Sequence, residues 1–238
     1  MQVKPIRTRI FRERENLADF VVAHLPKIKE GTVLVVTSKI VALAEGRTTV
    51  MGPKGKAPII KTESDIAIKT KHTWLTLKDG MFVASAGIDE SNADGKLILL
   101  PKDSYRSAGA LRKELMKRYG VKTLGIILPD SRTMPLRAGA IGVALGYAGI
   151  KGLKDYRGTR DMFGRKFVFE RAAIVDSIAA AATLVMGEGA ERCPLAVVEG
   201  APVEFTDRIS RTELLIPLAD DMWRPLFGNL RLKPKKKR

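Results

Sequence analysis

Thr32-Val33-Leu34-Val35-Val36 does most to limit what this chain can fold into. β-Branched and apolar residues follow one another with no polar alternation. Such a strand must be covered on both faces, so it belongs in the middle of a sheet. Thr123-Leu124-Gly125-Ile126-Ile127-Leu128 and Leu195-Ala196-Val197-Val198 have the same character. Met81-Phe82-Val83-Ala84 and Leu97-Ile98-Leu99-Leu100 are shorter apolar runs, the first read as a buried strand. Most of these runs give way to polar residues or glycine. Strand ends of this kind are where a rigid scaffold presents polar groups.

The segments between them are less uniform. Val3 to Arg12 alternates loosely and contains Pro5, which predicts an edge strand or extended arm. Asn16 to Leu25 reads as a helix with Asn16 as N-cap and Leu17, Phe20, Val21 and Leu25 on one face. Ile40 to Ala44 is helix-like, Gly52 to Lys56 a loop, and Thr62 to Lys71 a helix. Trp74 to Ala84 predicts two strands around the turn Asp79-Gly80. Ser104 to Tyr119 is amphipathic, with Leu111, Leu115 and Met116 inward and Lys113, Lys117 and Arg118 outward; Gly120 stops it. Gly139, Gly142, Gly146 and Gly149 indicate either close packing or approach to a ligand. Asp155 to Arg165 reads as a polar loop, Phe167 to Phe169 as a strand, and Arg171 to Met186 as an Ala-rich helix.

Composition narrows the chemistry. There are 238 residues, 45% of them apolar, enough for a core. No apolar run of about 18 residues is present, so no membrane helix is expected. The start lacks the apolar segment of a secretory signal. Cys193 stands alone, compatible with a reducing cytoplasm, and is expected as a small buried residue. Two histidines, His24 and His72, supply a zinc site or a Ser-His-Asp triad poorly. The 42 Lys and Arg against 26 Asp and Glu give +16, which favours anionic partners. Lys233 to Arg238 is expected as a disordered, solvated tail, with nucleic-acid binding as the alternative.

Four polar clusters follow apolar runs. Asp89 and Asn92 offer hard oxygens for a cation such as Mg²⁺, or else an Asx turn. Thr37-Ser38-Lys39 lies between a strand and a helix, where a phosphate is well received; the spacing is not a P-loop, and a plain helix cap is the alternative. Asp130-Ser131 stands at the expected end of its strand. Glu188 is flanked by Gly187 and Gly189, so it projects into a site or forms an exposed turn.

The order and wording of these clusters resemble one family, the coenzyme F420-0:L-glutamate ligases, or γ-glutamyl ligases. The matching text is VVTSKIVALAEGR (Val35–Arg47), SAGIDESN (Ser85–Asn92), SAGALR (Ser107–Arg112), PDSRTMPLRAGAIGVALGYAGI (Pro129–Ile150), DYRGTRDMFGR (Asp155–Arg165), VDSIAAAATLVMGEG (Val175–Gly189) and PLAVVEG (Pro194–Gly200). The resemblance implies a mixed α/β (α+β) fold intertwined into a homodimer. It implies GTP or ATP as co-substrate, two Mg²⁺ or Mn²⁺ ions, often K⁺, and ligation of L-glutamate to an acceptor carboxylate through an acyl phosphate. Asp89 and Asp130 resemble the ligands of one metal, and Ser131 and Glu188 those of the second. Ser38, Lys39, Asn92 and Met186-Gly187-Glu188-Gly189 resemble nucleotide contacts, as do Pro5 and Ile6. Lys39 and Arg137 add positive charge beside Asp130 at the reacting phosphate.

The chain also departs from the pattern. Where the family has Asp-Thr-x-Gly-Arg-Pro-Trp/Phe-Arg, it reads Asp130-Ser131-Arg132-Thr133-Met134-Pro135-Leu136-Arg137, with Arg132 placed to compensate for the missing Arg. The family's Lys in SKAEG is Leu43, and Gly-Asp-Asp is absent near Arg12 to Asn16. Kept ligands with altered flanks leave F420-0 as the default acceptor and folate as the alternative. A basic nucleic-acid-binding protein is the reading from another class, but it lacks a binding motif. A nucleotide-binding member without catalysis is the third. The organisation expected is a ligase-like region over 1–205, in one or two subdomains, an extension over 206–232 and the basic tail over 233–238.

Overall fold

The computed structural model describes residues 1–227, so the expected tail at Lys233–Arg238 lies outside the described residues. In chain order the first half runs β1 (Gln2–Ile6), α1 (Leu17–His24), β2 (Thr32–Val36), α2 (Ser38–Ala44), β3 (Thr48–Thr49), α3 (Ala57–Glu63), β4 (Ile66–Lys69), β5 (Trp74–Lys78), β6 (Met81–Ala84) and β7 (Leu97–Ile98). The second half runs α4 (Ser104–Tyr119), β8 (Leu124–Thr133), β9 (Ala140–Ala148), β10 (Leu153–Asp155), β11 (Arg171–Ala173), α5 (Ile174–Met186), β12 (Leu195–Glu199) and α6 (Arg224–Phe227).

The mixed α/β expectation holds. Five strands form a sheet in the order β1-β12-β2-β8-β9, and β2 is its middle strand, buried at every residue. β2 pairs antiparallel with β12 and parallel with β8. β1 is an edge strand with Pro5 opposite Ala196, a position that asks no ladder bond of the proline on its open side. Side chains alternate between the two faces. Leu34, Val36, Ile126 and Leu128 point to α1, α2 and α4, where they meet Phe20, Val41, Leu111 and Leu115. Val33, Val35 and Ile127 point to α5 and meet Val175, Ile178 and Ala182. Even-numbered β8 residues therefore face α2, and odd-numbered ones face α5.

Gly142 and Gly146 lie in β9 and Gly149 just after it, and close packing is the reason for these three, whereas Gly139, at φ 91° with open space around it, serves the β8–β9 connection. A Cβ at Gly146 would stand 2.5 Å from the Ser104 carbonyl carbon at the start of α4. One at Gly142 would stand 2.3 Å from Thr183 Oγ1 and 2.7 Å from the Ala179 carbonyl oxygen on α5. The β8–β9 hairpin is thus wedged against both helix layers. Gly146→Ala is expected to destabilise the fold by about 3 kcal/mol, because backbone rather than a movable side chain blocks the methyl group. Urea unfolding of the variant checks this.

β4, β5 and β6 form a separate antiparallel sheet, with Asp79 (φ 51°) and Gly80 (φ 81°) in its hairpin turn. Two left-handed residues are what a type I′ turn requires. The helix expected over Thr62–Lys71 is corrected here. Pro58 starts α3 earlier, at Ala57, and Ile66–Lys69 is a strand paired with β5. The helix expected from Arg171 begins only at Ile174, because Arg171–Ala173 pairs with β10. Phe167–Phe169 is not a strand; Val168 and Phe169 are exposed. Cys193 is half-buried rather than buried, its Sγ donating to the Glu191 carbonyl at 3.6 Å.

The described part of the C-terminal extension touches both the five-stranded sheet and the β4–β6 sheet. Glu213 Oε1 accepts from the Tyr147 hydroxyl and, at 2.6 Å, from the Gly152 N–H. Leu215 lies against Gly80, and Phe227 packs on Phe82 with ring centroids 4.7 Å apart. Among the described residues no helix is long and apolar enough to cross a membrane.

Candidate active site

β2 ends before β8 does, and the site lies in the gap. The β2–β8 pairing stops at Val35 and Ile127, after which Thr37 and Ser38 turn the chain into α2. β8 continues to Thr133 paired with β9 alone. Crevices beyond the carboxyl ends of parallel strands are habitual ligand sites, because backbone and side chains there face open space. Asp130 and Ser131, expected at a strand end, are inside β8; the strand that ends beside them is β2. The β8–β9 register shifts between Leu128 and Pro129. Pro129 has no N–H to give, and the Ala144 N–H opposite donates to Asp176 Oδ1 at 2.9 Å.

The pleat sends neighbouring polar residues to different partners. Asp130 and Arg132 share the α2 face. Ser38 Oγ donates to Asp130 Oδ1 at 3.3 Å, and Arg132 Nη1 donates to Asp130 Oδ2 at 2.6 Å. Ser131 turns to the α5 side, where its Oγ donates to Glu188 Oε1 at 2.6 Å. Glu188 is exposed, one residue past Gly187, whose φ of 81° ends α5.

The third wall comes from the segment after β6. Asp89 Oδ1 accepts the Ser91 N–H at 2.7 Å, as in an Asx turn, while Oδ2 is 2.7 Å from Lys39 Nζ. The Asx-turn reading of Asp89 therefore holds for Oδ1, while Oδ2 is engaged by the Lys39 ammonium. Lys39 Nζ also donates to Ser91 O and Oγ, each at 3.0 Å. Asn92 Nδ2 donates across the cleft to the Gly189 carbonyl at 3.3 Å.

Ser38, Lys39, Asp89, Asn92, Asp130 and Ser131, together with Met186–Gly189, line one cleft of about 1840 Å³. Pro5 and Ile6 lie outside it, paired in the sheet with Ala196 and Leu195. Arg137 also lies outside it, exposed on the β8–β9 connection. The N-terminal wall begins later than expected, at Thr8, and runs on to Glu15. Residue type did not mark that wall, because Arg9 and Glu15 are an ordinary charge pair in the sequence. In the structure Arg9 Nη1 donates to Glu15 Oε2 at 2.9 Å, and the Arg12 N–H joins it at 3.1 Å.

Burial and charge set the protonation of the site. Burial pushes the Asp130 carboxyl up, against the pull of Arg132 and Ser38, and the nearby Asp89 charge adds to the rise. Burial pushes Arg132 down, with Asp130 and Asp79 opposing. Burial also acts upward on Asp89, but Lys39 and the Ser91 N–H outweigh it and hold that carboxyl low. Glu15 is held at about 2, chiefly by its hydrogen bond from Arg9. Its folded value lies below its ordinary 4.5, so its contribution to stability is present above pH 4.5 and is lost as pH falls toward 2. The difference in melting temperature between the parent protein and Glu15→Gln is expected to shrink across that window.

The donors fit hard cations: two carboxylates from Asp89 and Asp130, a carboxylate and a hydroxyl from Glu188 and Ser131. Among the described residues no three His, Cys, Asp or Glu side chains converge on one point. Ser131 and Glu188 are hydrogen-bonded to each other, whereas Asp89 is held by Lys39 and Ser91 and Asp130 by Ser38 and Arg132 in the same cleft.

The chain matches the family model described as F420-0:Gamma-glutamyl ligase over residues 50–200. Ser38 and Lys39 precede the matched segment. It is 33% identical to the coenzyme F420:L-glutamate ligase of Methanocaldococcus jannaschii over 89% of this chain and 91% of that protein. The protein of the same name from Methanopyrus kandleri is 33% identical over 86% of this chain and 89% of its own length. The one from Methanothermobacter thermautotrophicus is 35% identical over 73% and 76%. The chain belongs to the F420-0:γ-glutamyl ligase family.

Proposed function

We propose that the protein is a nucleotide-dependent γ-glutamyl ligase that joins L-glutamate to the carboxylate of F420-0. One observation carries this beyond family membership: the starts of α2 and of the segment after α5, the middle of β8 and the turn after β6 bring hydroxyl, ammonium and carboxylate groups to a single cleft. The family model's description supplies the acceptor, and the relatives' name the amino acid.

A carboxylate is a poor electrophile. In the proposed reaction its oxygen attacks the γ-phosphorus of GTP or ATP, and the nucleoside diphosphate departs. The glutamate amine then attacks the acyl carbon, a C–N bond forms, the C–O bond to phosphate breaks, and the nitrogen gives up a proton to the departing phosphate or to water. Phosphoryl transfer of this kind needs positioning and charge neutralisation rather than a protein nucleophile. Two Mg²⁺ or Mn²⁺ ions, one on Asp89 and Asp130 and one on Ser131 and Glu188, would neutralise the phosphate oxygens. Lys39 brings an ammonium group to the same side of the cleft. Ser38 fixes Asp130 from the start of α2, and Asn92 ties the Asp89 segment to Gly189.

The family's homodimer is part of the same proposal. Met162, Phe163, Val168 and Phe169 on the β10–β11 connection are exposed, as are Leu184 and Val185 on α5. Exposed large apolar side chains of this kind suit burial by a partner copy. Sedimentation at micromolar concentration reads the assembly directly.

The activity is tested by incubating the protein with Mg²⁺ or Mn²⁺, L-glutamate, GTP or ATP, and either F420-0 or a folate. A mass gain of one glutamyl residue on F420-0 is expected. Gain on the folate alone would reassign the acceptor. No gain on either, with nucleotide still bound, would mean a member that has lost catalysis.

A further inference from the structure

Asp89 reaches the cleft through backbone that most residues adopt reluctantly. Ser85, Ala86 and Gly87 stand in succession in the left-handed region, with φ of 49°, 58° and 71°. Two of the three carry a Cβ, so the surroundings must hold them there. Gly87 can be nothing larger, since a Cβ would stand 2.6 Å from Leu100 Cγ and Cδ1. Ala86 is buried, and its N–H has no water to turn to.

Thr76 provides what that N–H needs. It is fully buried on β5, and its Oγ1 accepts from the Ala86 N–H at 2.8 Å. The same hydroxyl donates to the Val83 carbonyl at 2.6 Å. One side chain thus clamps the last turn of β6 to the middle of the left-handed segment. Beyond it, the Ile88 N–H donates to Ser85 O at 3.0 Å. Asp89 then exchanges both backbone hydrogen bonds with Ile98, each 2.9 Å. Thr76 holds Ala86 and Ile98 holds Asp89 itself, so the short stretch that delivers the Asp89 side chain is fixed at both of these points.

We infer that Thr76 is a positioning residue for Asp89: its buried hydroxyl holds the Ser85–Gly87 turn that sets where the Asp89 carboxylate stands in the cleft. This rests on the proposal that Asp89 binds a cation. Thr76 itself does not touch the cleft. A hydroxyl is needed here because one atom must accept and donate at once. Valine has the shape and neither capacity; serine has both.

The test titrates Mn²⁺ into the full chain, read by electron paramagnetic resonance, for the parent, Thr76→Val, Thr76→Ser, Leu77→Ala and Asp89→Asn. Leu77 is a buried neighbour on β5 that has no bond to the turn, so it reports the effect of lost stability alone. Thr76→Val is expected to weaken Mn²⁺ binding about tenfold, as loss of a ligand's supporting contact does. Thr76→Ser and Leu77→Ala should stay near the parent. Deuterium uptake over residues 84–90 should rise in Thr76→Val while the central sheet stays protected. If Thr76→Val does not fold, Thr76→Cys replaces it, since a thiol is a weak donor and acceptor. Parent-like binding by the Val or Cys variant, with Asp89→Asn weakened, overturns the role of Thr76 and leaves the cation site standing. Equal weakening by Leu77→Ala also overturns it. Parent-like binding by Asp89→Asn would remove the cation site itself.

Discussion

Asp130→Asn is expected to cost the protein both turnover and stability, and the two losses are separable. Turnover of the proposed ligation should fall about 10³-fold, since a preorganised charge at the reacting centre is lost. Stability should fall by about 3–5 kcal/mol for a different reason. Arg132 is 7% exposed, its Nε has no hydrogen-bond partner among the described residues, and Asp130 is its carboxylate. Asparagine leaves that guanidinium buried without a counter-charge, and arginine cannot shed its proton. Arg132→Met should be milder. It strands a carboxylate that burial already pushes up, and a carboxylate can take a proton. The double variant Asp130→Asn/Arg132→Met should regain most of the stability and none of the activity. Urea unfolding and steady-state rates on the four proteins of the cycle read both effects. Parent-like turnover in Asp130→Asn would take Asp130 out of the reaction. An undiminished unfolding free energy would show that water, not Asp130, stabilises Arg132.

The parts of this protein that were legible in its sequence are those where one local rule dominates. β2 follows Thr32 with four apolar residues and no polar alternation, so its place in the middle of the sheet followed from its five residues. α4 has a clean apolar stripe, an Asp103 cap and Gly120 at φ 70°, and its bounds were read correctly. Elements that depend on a distant partner were not legible in the same way. Ile66–Lys69 is too short for its period to separate helix from strand, and its pairing with β5 decides. Arg171–Ala173 leads into a helical pattern, yet β10 holds it extended. In the cleft, Asp89, Asp130, Ser131 and Glu188 were found through motif text. Their arrangement depends on where β2 stops relative to β8, which no single stretch encodes. Thr76 gave no signal at all: a threonine in a strand is unremarkable until the buried N–H it satisfies is known.

Lys39→Met separates two uses of a cation that the geometry alone leaves together. The ammonium is 2.7 Å from Asp89 Oδ2 and also bonds Ser91 O and Oγ at 3.0 Å. If it serves the phosphates, its loss removes positive charge from the reacting end of the nucleotide, and kcat/KM should fall about 10²-fold. The same substitution should tighten Mn²⁺ binding. Whether Lys39 stays on Asp89 or swings away, it competes with or repels a divalent ion at that carboxylate, and methionine does neither. Methionine also keeps much of the aliphatic length that packs against the cleft wall, so the fold is retained. A fall in rate with tighter metal binding would mark Lys39 as a phosphate group held ready on Asp89. Weaker metal binding would instead make Lys39 a brace that keeps Asp89 in place for the ion. An unchanged rate would remove it from the path of the phosphate. The salt dependence gives a second readout: the parent's nucleotide KM should rise with ionic strength more steeply than the variant's, because one charge contact fewer remains to be screened.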